Sequence, residues 1–315
     1  MNASHKTFVE TVIEKHFGVR AQKIERMTTG ICNEVYRATL ADKDIIVRLS
    51  AEDKFLMGSH NNIPLFKKLG IKVPDILAED YSKTLVPYSY QVQSKIEGQD
   101  LGDVIASLSD AELVALANEV AEIFRKVKTI PASRHFGVVW GGENEFSDTW
   151  TERMRIWLDE SEERGRKTGV MDDAMKALGE SIYLKYESTF DSVRPSTYYG
   201  DICSKNIMVA NGAFSGLVDL DGLTQGDFLE AIGRIKTSWH GTPHGDTYTK
   251  AVMDALDLSS EQREMATVYA LLNRISWACE NGIQFNQNTK PIVDEEKDKK
   301  SKAIIAKLAA ELGLV

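Results

Sequence analysis

Two short stretches of the chain concentrate groups able to hold a metal and take up a proton. Residues 198–206 read YYGDICSKN and residues 216–222 read GLVDLDG, which together supply Asp201, Asn206, Asp219 and Asp221. An amide oxygen beside a carboxylate suits a hard divalent cation such as Mg²⁺, which prefers oxygen ligands. A further carboxylate that the metal does not need can accept a proton from a hydroxyl. A base aspartate, an asparagine five residues on and a metal-binding aspartate thirteen beyond that are the parts of a phosphoryl-transfer site. An Asp-x4-Asn pair alone would carry no weight, and the competing explanation for all four groups is polar residues in surface turns.

The segment between them decides whether the four can meet. In NIMVANGAFSGLVDL (206–220), Asn211-Gly212 lies between two apolar runs, the strongest short hairpin signal. A tight turn there makes Asn206 and Asp219 neighbours, with Asp201 on the entering loop. Crowding aspartates costs on the order of 4 kcal/mol per pair at ~4 Å and an effective dielectric of ~20. A bound nucleoside triphosphate would add more negative charge, so the cluster makes physical sense only with divalent metal and a nearby cation. Asp221 is either a supporting group behind the ligands or a substitute ligand.

At roughly 150 residues per domain, a 315-residue chain suggests about two domains or one two-lobed unit. Hydrophobic residues make up 43 %, enough for real cores. No apolar run reaches the ~18–20 residues of a spanning helix. The first twenty residues lack a signal peptide's apolar centre and read as an amphipathic helix with Phe8, Val12, Ile13 and Phe17 on one face. A cytoplasmic protein is the expectation. Cys32, Cys203 and Cys279 are too scattered for a disulfide framework or a zinc site, although Cys203 falls inside the first stretch. A net charge of −9 disfavours a nucleic-acid partner and is compatible with a cationic small substrate.

Strand patterns cover KIERM (23–27), EVYRATL (34–40) and DIIVRLS (44–50), the last two forming a hairpin across ADKD. A short helix is expected over 60–69, stopped by Gly70, and a strand to about Gln93 with a break at Gly98. Beyond that the chain reads as helical. Ser109 and Glu112 form a capping signal for 109–127. A second helix fits 147–165, ended by Gly165, and others fit 228–239, 247–256, 260–281 and 293–312.

The segment YYGDICSKNIMVANGAFSGLVDLDGLTQGD resembles the active-site segment of the aminoglycoside phosphotransferase family of small-molecule kinases, relatives of choline kinase. GIKVPDIL, SKIEGQDL and MTTGICNEVYRAT resemble, more weakly, the approach to the fourth strand, the lobe junction where adenine docks, and the loop over the phosphates. The resemblance implies an α+β, bilobal protein-kinase-like fold. A small β-rich nucleotide-binding N-lobe would span 1–93, and a larger, mainly helical C-lobe 94–315. It implies Asp201 as catalytic base and Asn206 and Asp219 as Mg²⁺ ligands. Gly226-Asp227 would be a structural turn. Arg48, Gly30, Asn33, Gln93, Ser94 and Lys95 would bind the nucleotide, ATP or GTP.

The implied reaction moves a γ-phosphoryl group to a hydroxyl of a small molecule. An aminoglycoside is the first expectation; a macrolide, choline-like alcohol, amino alcohol or sugar is the alternative. A nucleotide-binding module without turnover, or an interaction scaffold, are readings outside that class. Neither a nucleic acid nor a membrane is expected as a partner.

The sequence departs from the family pattern at four places. Tyr199 stands where the family commonly has a loop-bracing histidine. Arg48 stands in place of a phosphate-pairing lysine, always charged and able to grip two oxygens. Its usual glutamate partner is missing: the counted place falls at Ser59-His60-Asn61, with Glu52 as a possible substitute. The phosphate loop has Gly30 alone.

Three other features compete for a role. His240 and His244 are four apart, but Gly241 and Pro243 argue for a loop rather than a helical metal pair. Trp239 and Trp277 are core fillers or pocket walls. Asp148, Glu152, Asp159, Glu160, Glu162 and Glu163 crowd one helix, either to bind amines or as a solvated face partnered by Arg153, Arg155, Arg164 and Arg166.

Overall fold

The computed structural model describes residues 3–28, 30, 32–141, 146–202 and 204–314. It opens with α1 (Ala3–Phe17) and β1 (Lys23–Arg26), β2 (Glu34–Thr39) and β3 (Asp44–Ser50). Then follow α2 (Asp53–Lys68), β4 (Ile76–Asp80) and β5 (Ser89–Ser94). The five strands form an antiparallel sheet in the order β1-β2-β3-β5-β4. The period of two along β3 and β5 sorts their side chains by face. Ile45, Val47, Leu49, Tyr90 and Val92 pack with Val9, Val12 and Ile13 of α1 in one apolar cluster. Arg48 and its ladder partner Gln91 point to the other face, and Gln93 follows two residues on.

Helix α2 starts seven residues before its expected start, despite Gly58 and Ser59, which are poor helix formers. Tertiary packing outweighs propensity there: Leu56 is fully buried and Gly58 is pressed against the backbone of Asp221. The helix ends as expected ahead of Gly70, whose φ is 69°.

The chain then passes through β6 (Gln99–Asp100), α3 (Leu101–Val104), α4 (Asp110–Val127), β7 (Gly137–Val139) and α5 (Trp150–Thr168). Next come α6 (Asp173–Ser192), β8 (Ser196–Tyr198), β9 (Ile207–Ala210), β10 (Ala213–Leu217) and β11 (Leu223–Gly226). It closes with α7 (Leu229–Ser238), α8 (Pro243–Ala255), α9 (Ser260–Ala278) and α10 (Glu295–Glu311). The architecture is a β-sheet region followed by a mainly helical part. In α4 the Ser109 hydroxyl and the Glu112 carboxylate cap one another's backbone N–H. Strands β9 and β10 turn at Asn211 (φ 51°) and Gly212 (φ 75°), both left-handed as a type I′ turn requires.

Three helix readings need correction. Gly165 lies inside α5, because a Cβ there would sit 2.6 Å from Cys279 Sγ and from Met171 Cβ; the left-handed stop is Gly169. Helix α6 was not expected, although Met175, Gly179, Ile182, Tyr186 and Phe190 form a buried stripe at helical spacing. A glycine in that stripe and scattered serines hide the period. Pro243 does not block a helix but begins one, since a first-turn residue needs no N–H. His244 therefore sits on α8, while His240 stays ahead of it, 3.0 Å from Glu311.

Candidate active site

The loop after β8 carries Gly200, where a Cβ would fall 2.4 Å from Thr224 Oγ1, so only glycine lets it pass. Asp201 follows. Asn206, buried just before β9, donates from Nδ2 to the Asp201 carbonyl at 2.8 Å and to its carboxylate at 2.7 Å. Across the hairpin mouth, the Val218 N–H donates to the Asn206 carbonyl at 3.0 Å. The tight turn thus brings the 218–221 strand end to the 201–206 loop.

Tyr199 takes up the bracing position. Its hydroxyl lies 2.9 Å from the Val218 carbonyl and 3.0 Å from that of Asp219. Asp219 itself has φ 60°, a left-handed conformation that a non-glycine residue holds only when its surroundings impose it.

Arg48 reaches this loop from β3. Its NH1 donates to Asp221 Oδ1 at 2.8 Å and Ser59 Oγ at 2.9 Å; its NH2 donates to Asp221 Oδ2 at 2.6 Å and Asp219 Oδ1 at 2.9 Å. Ser59 Oγ and Asn33 Nδ2 also donate to Asp221, at 2.6 and 3.0 Å. Asp221 therefore fills the place of the missing glutamate, from the other side of the cleft, while the helix position contributes only a serine. Glu52 does not substitute; it lies 3.2 Å from Lys54. The sequence signal was the second aspartate of DLD, one side-chain period after Asp219.

Exposure separates the two carboxylates. Asp221 keeps 8 % of its side chain exposed and Asp219 keeps 38 %, so only Asp219 is open to a ligand. Burial opposes charge on Arg48, yet Asp221 and Asp219 together outweigh it and hold its pKa above the ordinary arginine range. The Asp219 carboxyl is pushed up to about 7, first by its withdrawal from bulk water into the cleft and then by the charge of Asp221, with Arg48 opposing.

Around this centre, Asp201 Oδ1 accepts from Arg234 NH1 of α7 at 3.0 Å, and Arg234 NH2 lies 3.6 Å from Glu230. Sequence reasoning passed over Arg234, which nothing but the packing of α7 marks out. The Gly30 carbonyl accepts from Asn286 Nδ2 at 3.1 Å and from Asn288 Nδ2, and Arg26 donates to Asn288 Oδ1 at 2.5 Å. The loop is thus tied to a segment more than 250 residues away in the chain. Thr29, Ile31 and Cys203 lie outside the described residues.

Gln93, Ser94 and Lys95 make no described hydrogen bond to the aspartate cluster. Gln93 donates to Gln91 at 2.5 Å, Ser94 exchanges bonds with the backbone of Asp75 at 2.8 and 2.9 Å, and Lys95 lies 2.8 Å from Glu97. They do occupy the end of the strand whose face carries Gln91 opposite Arg48. Gly226 and Asp227 make the strand-to-helix turn, with Asp227 accepting from the Leu229 N–H at 3.1 Å and the Tyr269 hydroxyl at 2.9 Å. Trp277 is not a core filler: the Arg234 and Arg274 guanidinium groups lie 5.8 and 5.3 Å from its ring centre. The acidic face of α5 is internally paired, as a solvated face would be.

The donor set fits Mg²⁺ delivered with a nucleotide. Magnesium takes one or two protein oxygens and completes its octahedron with phosphates and water. Among the described residues no group of three or more His, Cys, Asp or Glu forms a dedicated cage, which such an ion does not require. Asn206 donates its Nδ2 to Asp201, so its amide oxygen takes no part in that bond, and the bond from Arg48 to Asp219 goes to Oδ1.

A sheet region and a mainly helical part meet over Asp201, Asn206 and Asp219 at a hairpin mouth, and the fold is kinase-like. Residues 23–268 match the model of the phosphotransferase enzyme family, and the chain belongs to that family. No curated protein matches it. Among solved structures, the apo form of a thermostable mutant of aminoglycoside phosphotransferase APH(4)-Ia is similar at TM-score 0.72 and 14 % identity, over 96 % of this chain and 98 % of that one. The GDP and kanamycin complex of APH(2")-IIIa is similar at TM-score 0.73 and 14 % identity, over 98 % and 99 %. Among the described residues no helix is long and apolar enough to cross a membrane.

Proposed function

We propose that this chain moves the γ-phosphoryl group of ATP or GTP to a hydroxyl of a small molecule, with Mg²⁺ bound between the phosphates and Asn206 and Asp219. The observation that carries the reading is the meeting of Asp201, Asn206 and Asp219 at one hairpin mouth beneath Arg48. The metal, when present, neutralises phosphate charge. Asp201 orients the acceptor hydroxyl and takes its proton. Arg48 keeps its NH1 bond to Asp221 and turns the NH2 that it now shares between Asp221 and Asp219 towards phosphate oxygens. Gly30 and Asn33 cover those oxygens, and the backbone at Gln93, Ser94 and Lys95 meets the purine. Residues 1–93 would form the donor-binding lobe and 94–315 the lobe with the base and the acceptor site. A cytoplasmic setting, where nucleoside triphosphates are at hand, goes with this reading.

Both donors deserve trial, because similar structures hold AMP-PNP in one case and GDP in another. Those same structures hold hygromycin B and kanamycin, so an aminoglycoside is the natural first acceptor to test. The experiment is a mass-spectrometric screen with Mg²⁺, both nucleotides and a panel of hydroxylated acceptors, read as a gain of one phosphoryl group. Asp201→Asn should then cost ~10²–10⁴-fold in kcat, the usual range of base catalysis. Full activity in that variant would remove Asp201 from the role.

A further inference from the structure

Beside Asp201 two guanidinium groups meet one indole ring. Arg234 of α7 bonds Asp201 at 3.0 Å and lies 5.8 Å from the ring centre of Trp277 on α9. Arg274, one turn earlier on α9, lies 5.3 Å from the same ring. One indole thus has two guanidinium groups against it, and that of Arg234 already touches the residue that must meet the acceptor hydroxyl.

Arg274 lacks a counter-ion. It donates from Nε to Thr237 Oγ1 at 3.1 Å and from NH2 to the Thr237 carbonyl, and no carboxylate among the described residues lies within ion-pair distance. Burial pulls its pKa down to about 10: its partners are the neutral oxygens of Thr237 and the Trp277 ring, and no described carboxylate offsets the charge. A ligand oxyanion would offset it.

Among the described residues, the α5 carboxylates that could bind a polyamine are paired within the chain. On α5, Asp159 pairs with Arg155 at 2.7 Å, Glu162 with Arg166 and Lys176 at 2.8 and 2.7 Å, and Glu163 with Lys167 at 2.7 Å. Glu230 serves Asn273 at 3.2 Å and Arg234 at 3.6 Å. Glu280, just past α9, is in no described ion pair, and burial pushes its pKa up, against carrying charge. Next to Asp201, Arg234 is answered by Asp201 and Glu230, and Arg274 is the cation with no described carboxylate beside it, within a chain whose net charge is −9.

We propose that the acceptor is a hydroxylated small molecule bearing an oxyanion, a carboxylate or a phosphate, which docks between Arg234 and Arg274 against Trp277. The inference rests on the kinase reading above, and deepens it by naming an acceptor class opposite in charge to an aminoglycoside. Arg274 acts as an acceptor-binding residue, able to grip two oxygens with its fork.

The test separates the two claims. Binding of Mg·ADP or Mg·GDP by the full chain, measured by calorimetry without acceptor, checks the kinase reading alone. The nucleotide-saturated chain is then titrated with gluconate, glucose 6-phosphate, glucose and kanamycin, and the same four are offered with Mg·ATP and Mg·GTP for phosphoryl transfer. At least one anion should bind tenfold or more tighter than glucose and kanamycin, and the gluconate and glucose 6-phosphate arms tell carboxylate from phosphate. Arg274→Gln should raise KM for that anion at least tenfold with a smaller change in kcat, and Arg274→Lys should restore part of the loss. Tighter or equal binding of glucose or kanamycin, failure of both anions to bind, or an unchanged KM in Arg274→Gln would overturn the proposal. The ranking of the four ligands by the wild-type chain decides the matter even if a variant does not fold. Absence of nucleotide binding would instead sink the kinase reading.

Discussion

Replacing Asp221 by asparagine keeps its shape and removes its charge. The carboxylate accepts four hydrogen bonds, two from Arg48 and one each from Ser59 and Asn33, all between 2.6 and 3.0 Å. An amide can accept at only one end, so two of the four contacts become donor against donor. Arg48, 4 % exposed, is left with Asp219 as its nearest opposing charge. Breaking a buried pair by removing one partner costs about 3–5 kcal/mol. Unfolding entropy of about 2.1 cal/mol/K per residue gives roughly 0.66 kcal/mol/K for this chain, so the loss corresponds to a fall of about 5–8 °C in Tm. The freed guanidinium also loses its aim, and kcat/KM for the nucleotide should fall roughly 10²-fold. Thermal unfolding with and without Mg·ADP, together with steady-state kinetics, reads both effects. An Arg48→Met/Asp221→Leu pair should regain much of the stability and none of the activity, because apolar isosteres replace a buried ion pair at little cost. If Asp221→Asn shifts Tm by under ~1.5 °C, about 1 kcal/mol on the same scale, and leaves the nucleotide KM alone, Asp221 is not the partner of Arg48.

Further outcomes follow from the same geometry. Gly58→Ala inverts the usual rule that alanine stabilises a helix interior: its Cβ would sit 1.6 Å from the Asp221 carbonyl oxygen, backbone against backbone. A loss of at least ~1–3 kcal/mol is expected in denaturant melts, and a stabilised variant would contradict the close approach. Tyr199→Phe removes the hydroxyl that two loop carbonyls share; it should cost about 1–3 kcal/mol and raise the Mg²⁺ concentration needed for half-maximal rate. With the Asp219 carboxyl pushed above the usual carboxylate range, its proton competes with the metal on the acid side of its pKa. Apparent Mg²⁺ affinity should fall, by about tenfold per pH unit at the limit, as pH drops through the Asp219 pKa and level off above it, as one displaced proton requires. An affinity flat from pH 5.5 to 8 would rule out Asp219 as a ligand that titrates there.

Local rules made the hairpin, the capping box and the strand alternation legible, because each is set by a few adjacent residues. Asn211-Gly212 must take left-handed angles, and it does. Alternation along DIIVRLS separates Arg48 from the apolar face without knowledge of any partner. What escaped depends on contacts between distant segments. The early start of α2 follows from packing against Asp221, and the helical role of Gly165 from the approach of Cys279. Arg48's true partner lies 173 residues away, so counting along the helix could find only Ser59, not the carboxylate. Arg234 is one basic residue among 38, and only the α7 geometry aims it at Asp201.

The apposition of α2 and the 219–221 loop bears on control. A kinase-like enzyme can be idled by swinging the corresponding helix aside until its ion pair breaks. Here the ion pair does not depend on a helix carboxylate, and Gly58 rests directly on the loop that supplies Asp221. Inward travel is blocked by backbone, and outward travel would strand Ser59. The Arg48–Asp221 pair is therefore held in place without any charged residue from α2.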